Sequence, residues 1–85
     1  MEEALEVKVF CSPALKSENF SGLVRSVSSK NKLGNFDILS KHINFITLIF
    51  EELIIETLEK KKIVYKFERG VLKVSENKVK IFLGL

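Results

Sequence analysis

Residues 5–11, LEVKVFC, set Leu5, Val7, Val9 and Cys11 against Glu6, Lys8 and Phe10. This is the period of two expected of a strand with one face in a core. Pro13 ends it, because proline has no N–H to give to a ladder. The run SENFSGLVRSVSS predicts a short second strand from Phe20, with Gly22 at a bulge or close approach and Val24 and Val27 carrying apolar character onward. KNKLGNFD (30–37) is polar, with one glycine and two asparagines, and predicts an exposed turn.

The segment 43–58 supports two readings. Ile46, Ile49, Phe50, Leu53, Ile54 and Leu58 recur at helical spacing. The same segment is dense in Ile, Phe and Thr, whose branched or aromatic side chains suit a pleated surface, and Glu51-Glu52 would then be a turn between two strands. Further on the pattern is clean. KIVYKFE (62–68) and GVLKVS (70–75) alternate, and ENK links the latter to VKIFL (79–83) as a tight hairpin with Asn77 suited to positive φ. Lys60, Lys61 and Lys62 would sit at the tip of the preceding hairpin. Several short strands at close spacing predict an all-β fold, a small β-sandwich or flattened barrel of mostly antiparallel strands.

Composition narrows this picture. At 85 residues, 46% hydrophobic and 29% charged, the chain has the balance of one folded domain, 1–85, with a single core and no room for a large enclosed active site. One cysteine excludes an internal disulfide and points to a reducing compartment. No basic leader precedes an apolar run at the start, and INFITLIFEELII is too short and too interrupted for a membrane-spanning helix, so a soluble chain without direct membrane insertion is expected. The net charge of +3 permits an acidic partner without requiring one.

Three segments, in order, resemble the β-sandwich domain of the epsilon subunit of F-type ATP synthases, called delta in mitochondria. FSGLVRSV (20–27) is similar to the family's Phe-Ser/Glu-Gly-x-Val strand. LGNFDILSKHINFITLI (33–49) resembles its Gly-x-x-Gly-Ile-Leu-Pro-Gly-His-Ala-Pro-Leu-x-Thr segment, and GVLKVSENKVKIF (70–82) its closing hairpin. The chain departs from the pattern at Ser40-Lys41 and Glu51-Glu52, where the family has Pro-Gly turns, and at Asp37, which replaces a glycine.

The resemblance implies two strands and a turn in 43–58. It also implies a non-catalytic rotor component that packs on the gamma subunit and rests on the c-ring, peripheral to the cytoplasmic face of a bacterial inner membrane. By position, Ser12, His42 and Thr47 match the family's gamma-facing surface, while Gly34 and Asn35 match the loop that meets the c-ring. Asn35 stands where the family often has an acid. Because the sequence ends at Leu85, the C-terminal helical hairpin that many members carry, with its regulatory and ATP-binding roles, is not expected here. A free-standing protein-interaction adaptor that kept the fold is the alternative.

The side chains themselves carry little chemistry. His42 would need a nucleophile or orienting carboxylate beside it for catalysis. A partly buried histidine bonded to backbone, or a contact with a partner, fits its apolar flanks Leu39, Ile43 and Phe45 better. One histidine and one cysteine about thirty residues apart make no metal signature. Cys11, on the apolar face of the first strand, reads as a small core hydrophobe. The lysines at 60–62 could bind phosphates, yet Tyr65 and Phe67 share a strand face that looks committed to the core, so a solvated tip is favoured over nucleic-acid binding. Gly34 and Gly70 are isolated and no phosphate loop follows them, so no nucleotide or other cofactor is expected. The seven Phe are expected mostly in the core, with any leftover apolar patch serving for docking.

Overall fold

The computed structural model describes residues 4–40 and 44–85. Six strands follow in order: β1 (Leu5–Cys11), β2 (Phe20–Asn31), β3 (Gly34–Ile38), β4 (Phe45–Thr57), β5 (Lys62–Ser75) and β6 (Lys78–Leu83). A single 3-10 turn, Pro13–Leu15, follows β1. The sheet order is β1-β6-β5-β4-β2-β3, and an antiparallel β1–β2 pairing closes five of the strands into a barrel. Only the β1–β6 pairing among these is parallel. On β2, residues 20–24 pair with β1 and 27–31 with β3, while β4 lies on the opposite edge, so β3 continues the line of β1 as a strand outside the closed barrel.

The all-β, mostly antiparallel class is as the pattern predicts, and so is β1 at residues 5–11. Three elements differ in extent. Residues 30–37 are not one exposed turn: Lys30 and Asn31 end β2, Gly34 begins β3, and the turn is confined to Lys32 and Leu33. Residues 45–57 form neither a helix nor two strands. They are one strand of 13 residues, and the 62–68 and 70–75 segments likewise fuse into one strand of 14.

Strands of that length would reach roughly 43–46 Å if straight, more than the 38 Å longest dimension of the molecule. They therefore bend. The bend falls at a register irregularity where Phe50 opposes Arg69 and Glu51 opposes Phe67, leaving Glu68 as an extra residue on β5. Glu51, which was expected in a turn, takes φ 74 at this bend. A β-bulge of this kind bends the strand and increases its local twist, which lets long strands wrap a small closed barrel.

The bulges also explain where strict alternation fails. Arg25 is extra on β2, so Val24 and Val27, three apart, both reach the core. Glu68 does the same for Phe67 and Gly70. Elsewhere the period of two holds, and Leu5, Val7 and Val9 of β1 interleave with Val79, Ile81 and Leu83 of β6 at essentially zero exposure. The β5–β6 hairpin turns on Glu76 and Asn77 at φ 50 and 62, both in the left-handed region that twists a two-residue turn to match its strands.

Candidate interaction surfaces

Gly34 and Asn35 lie just past the tip of the β2–β3 hairpin. The turn is held by the Leu33 N–H donating to Asn31 Oδ1 at 2.9 Å. Gly34 has φ +120 with open space where a Cβ would be, so the position requires glycine for backbone conformation and not for room. Leu33 at the tip is 96% exposed.

Asn35 faces outward into a groove of about 640 Å³ on the outer side of the sheet, shared with Ser28, Lys30, Asp37, Glu51, Glu52 and Lys66. Two of its three carboxylates are paired with lysines and the third takes a hydroxyl. Lys30 pairs with Glu51 at 3.2 Å, Lys66 pairs with Glu52, and Ser28 Oγ donates to Asp37 at 2.6 Å. Exposed pairs of this kind stabilise little, so their main effect is to leave the groove polar and nearly neutral.

Thr47 is adjacent to the same hairpin. Its Oγ1 accepts from Asn31 Nδ2 at 3.4 Å and donates to the Leu48 carbonyl at 3.1 Å, in a recess formed with Lys32, Leu33, Ile46 and Leu48. Thr47, matched to the gamma-facing surface, is thus bonded to the end of β2, three residues before Gly34.

Ser12 lies elsewhere, in a recess with Ala14, Leu15, Phe67, Gly84 and Leu85. Its hydroxyl is buried without a hydrogen-bond partner, and a Cβ on Gly84, whose φ is +81, would come within 2.4 Å of it. Ser12 and Thr47 therefore share no recess. His42 lies outside the described residues. Nearby, Asn44 Oδ1 accepts from the Glu76 N–H at 3.0 Å and ties the start of β4 to the β5–β6 turn.

Cys11 is partly buried against the core, as its position on β1 predicts, and its Sγ faces the Glu18 carbonyl at 3.6 Å. Burial pushes the thiol above its ordinary range, which makes it a poor nucleophile. Burial, and then the negative charge that Cys11 and Glu18 can carry, raise the Tyr65 phenol as well. Tyr65 Oη donates to Glu18 O at 2.9 Å, so these groups clasp the loop after β1. Among the described residues, no three His, Cys, Asp or Glu side chains gather as a metal site would need. Lys60, Lys61 and Lys62 are exposed at the β4–β5 tip, with Lys60 at φ 65.

The surface that residue patterns missed is apolar. Of the seven Phe, Phe67 is buried and Phe20, Phe36 and Phe45 pack half-buried against the core, so most of them serve it as expected. Phe10 and Phe82, 40% and 42% exposed, stack on the outside of the sheet with ring centroids 5.1 Å apart. The registers Phe10↔Phe82, Phe82↔Val71 and Val71↔Leu48 place four apolar side chains in one row across four strands. Ile46, 67% exposed, stands beside that row. Phe10 and Phe82 occupy polar-face positions of their alternations, and that was the one signal in the sequence.

The described surface thus consists of a closed barrel's shallow recesses, a polar groove and an exposed apolar row. The chain belongs to the family described as ATP synthase, Delta/Epsilon chain, beta-sandwich domain, whose model matches residues 14–83. It is similar in fold to a chain of the Euglena gracilis mitochondrial ATP synthase, solved by cryo-EM with OSCP, F1 and c-ring. The TM-score is 0.79 at 17% identity, over 94% of this chain and 50% of that one. It is similar also to a chain of the central stalk and c-ring of the Tetrahymena thermophila mitochondrial ATP synthase, with a TM-score of 0.71 at 17% identity, over 99% of this chain and 66% of that one. The sequence thus spans half to two-thirds of the length of these relatives. No curated protein matches it in sequence. Among the described residues, no helix is long and apolar enough to cross a membrane.

Proposed function

We propose that the chain serves as a non-catalytic part of the central stalk of an F-type ATP synthase, coupling the gamma subunit to the c-ring at the membrane surface. The observation that carries this reading is the family match over residues 14–83; the likeness to a chain of a central stalk and c-ring assembly supports it. Ser12, His42 and Thr47 are assigned to the gamma contact, and Gly34 and Asn35 to the c-ring contact. Ser12, with its hydroxyl buried, contributes through the shape of the recess it forms with Leu15 and Gly84.

The physical task is to stay rigid while two partners pull. Two continuous strands, β4 and β5, run through the bend and pair with each other on both sides of it. The Asn31–Thr47 hydrogen bond braces the β2–β3 hairpin against that pair. A tagged chain purified from its native membranes is expected to bring gamma and c-ring subunits with it. Asn35→Arg, at an exposed position, is expected to reduce c-ring recovery while retaining gamma. Recovery of neither subunit with the unmodified chain overturns the assignment.

A further inference from the structure

The row Phe10–Phe82–Val71–Leu48 has a second row beside it. Lys8 opposes Lys80 and Lys80 opposes Lys73, so three exposed lysines stand in line across β1, β6 and β5, one step along the strands from the apolar row. Like charges directly opposite one another destabilise a sheet, and among the described residues no ion pair engages these three. Glu6 stands a row further on, opposite Lys78, and Glu76 lines a shallow recess with Lys73, Lys78 and Lys80 without an ion pair to them. The arrangement is unfavourable in the isolated domain, and carboxylates laid along it from outside would relieve it.

We propose that this face docks an amphipathic helix of a partner protein, its apolar stripe on Phe10, Phe82, Val71 and Leu48 and an acidic flank over Lys8, Lys80 and Lys73. At β1 and β6, which are paired on both edges, strand addition is blocked, so a partner that covers Phe10 and Phe82 lies on the face and uses side chains. A helix lying across the strands fits the spacing. Its side chains at i, i+3/i+4 and i+7 advance by about 5–6 Å per step, and adjacent strands are about 4.8 Å apart. Three strand intervals, roughly 14 Å, match about ten helical residues. The inference stands apart from the stalk assignment, since Ser12, Gly34 and Asn35 lie outside the face and Thr47 alternates to its other side.

The test uses a labelled helical peptide of about 16 residues, with leucines on one stripe and glutamates on one flank, titrated into the full chain by fluorescence anisotropy. A second peptide carries lysines in place of the glutamates, and phosphatidylserine vesicles are a third probe. The acidic peptide is expected to bind saturably and at least about tenfold tighter than the basic one. Phe82→Ser is expected to weaken it about tenfold, and the exchange Lys80→Glu, at an exposed position, to abolish the preference for acid. Equal binding of the two peptides, or no saturable binding, overturns the proposal. So does binding to vesicles alone, or self-association of the chain that excludes the peptide.

Discussion

Ser29 is a buried polar residue at 7% exposure, and its Oγ donates to the Glu52 carbonyl at 2.7 Å. That carbonyl lies just past the bend in β4, where the ladder is irregular and a backbone acceptor needs another partner. Removing the hydroxyl takes away this bond to the Glu52 carbonyl while keeping nearly the same shape. Ser29→Ala is expected to cost about 1–3 kcal/mol in chemical denaturation with an unchanged m-value. The hydrogen bond spans two strands and a bulge, so no local pattern around Ser29 announces it. The exposure of Phe10 is the opposite case, because its place among Glu6 and Lys8 already set it on the outer face.

At the scale of elements, the bend rests on Gly70. A Cβ there would meet the Phe82 carbonyl at 2.6 Å and Leu83 at 3.0 Å, backbone and core that cannot give way without moving β6. Gly70→Ala is expected to lower stability by about 1–3 kcal/mol and to broaden amide signals of β5 and β6 around Leu83 in heteronuclear spectra. Strand identity was readable at both ends of the chain, where one face of each strand is buried and alternation survives. It failed in the middle because Ile46 and Leu58, which completed the helical spacing, are surface residues of a strand and a turn, 67% and 50% exposed. Periodicity counts apolar residues without knowing which of them are buried. A turn and a bulge also draw on similar residues, so Glu51-Glu52 reads alike for both.

For the molecule as a whole, Tyr65 links the core to the loop after β1, and its raised phenol makes stability depend on pH. Below the ordinary tyrosine range, near 10.0, both folded and unfolded chains hold the proton and the group adds no pH dependence. Above it the unfolded chain loses its proton first, so stability falls as pH rises until the folded value is passed. Cys11 acts in the same direction from its ordinary value of 9.0 upward. Thermal midpoints are expected to hold through neutral pH and then to decline in the alkaline range. Tyr65→Phe should flatten the upper part of that decline, with some loss of baseline stability from the lost hydrogen bond to Glu18. A midpoint that rises between pH 9 and 11 would contradict this account.

From residue order alone came the strand-forming stretches, the Asn77 hairpin, the inward faces of β1, β5 and β6, and the segments that mark the family. Each depends on neighbours a few residues away, where steric preference and a period of two act directly. Barrel closure through β1 against β2 and β6, the fusion of segments into 13- and 14-residue strands, and the two bulges that shift the inward face belong to the tertiary structure. So do the aligned apolar and lysine rows, since each takes one residue from each of several strands. Cross-strand register sets those rows, and register is a property of the whole closed sheet.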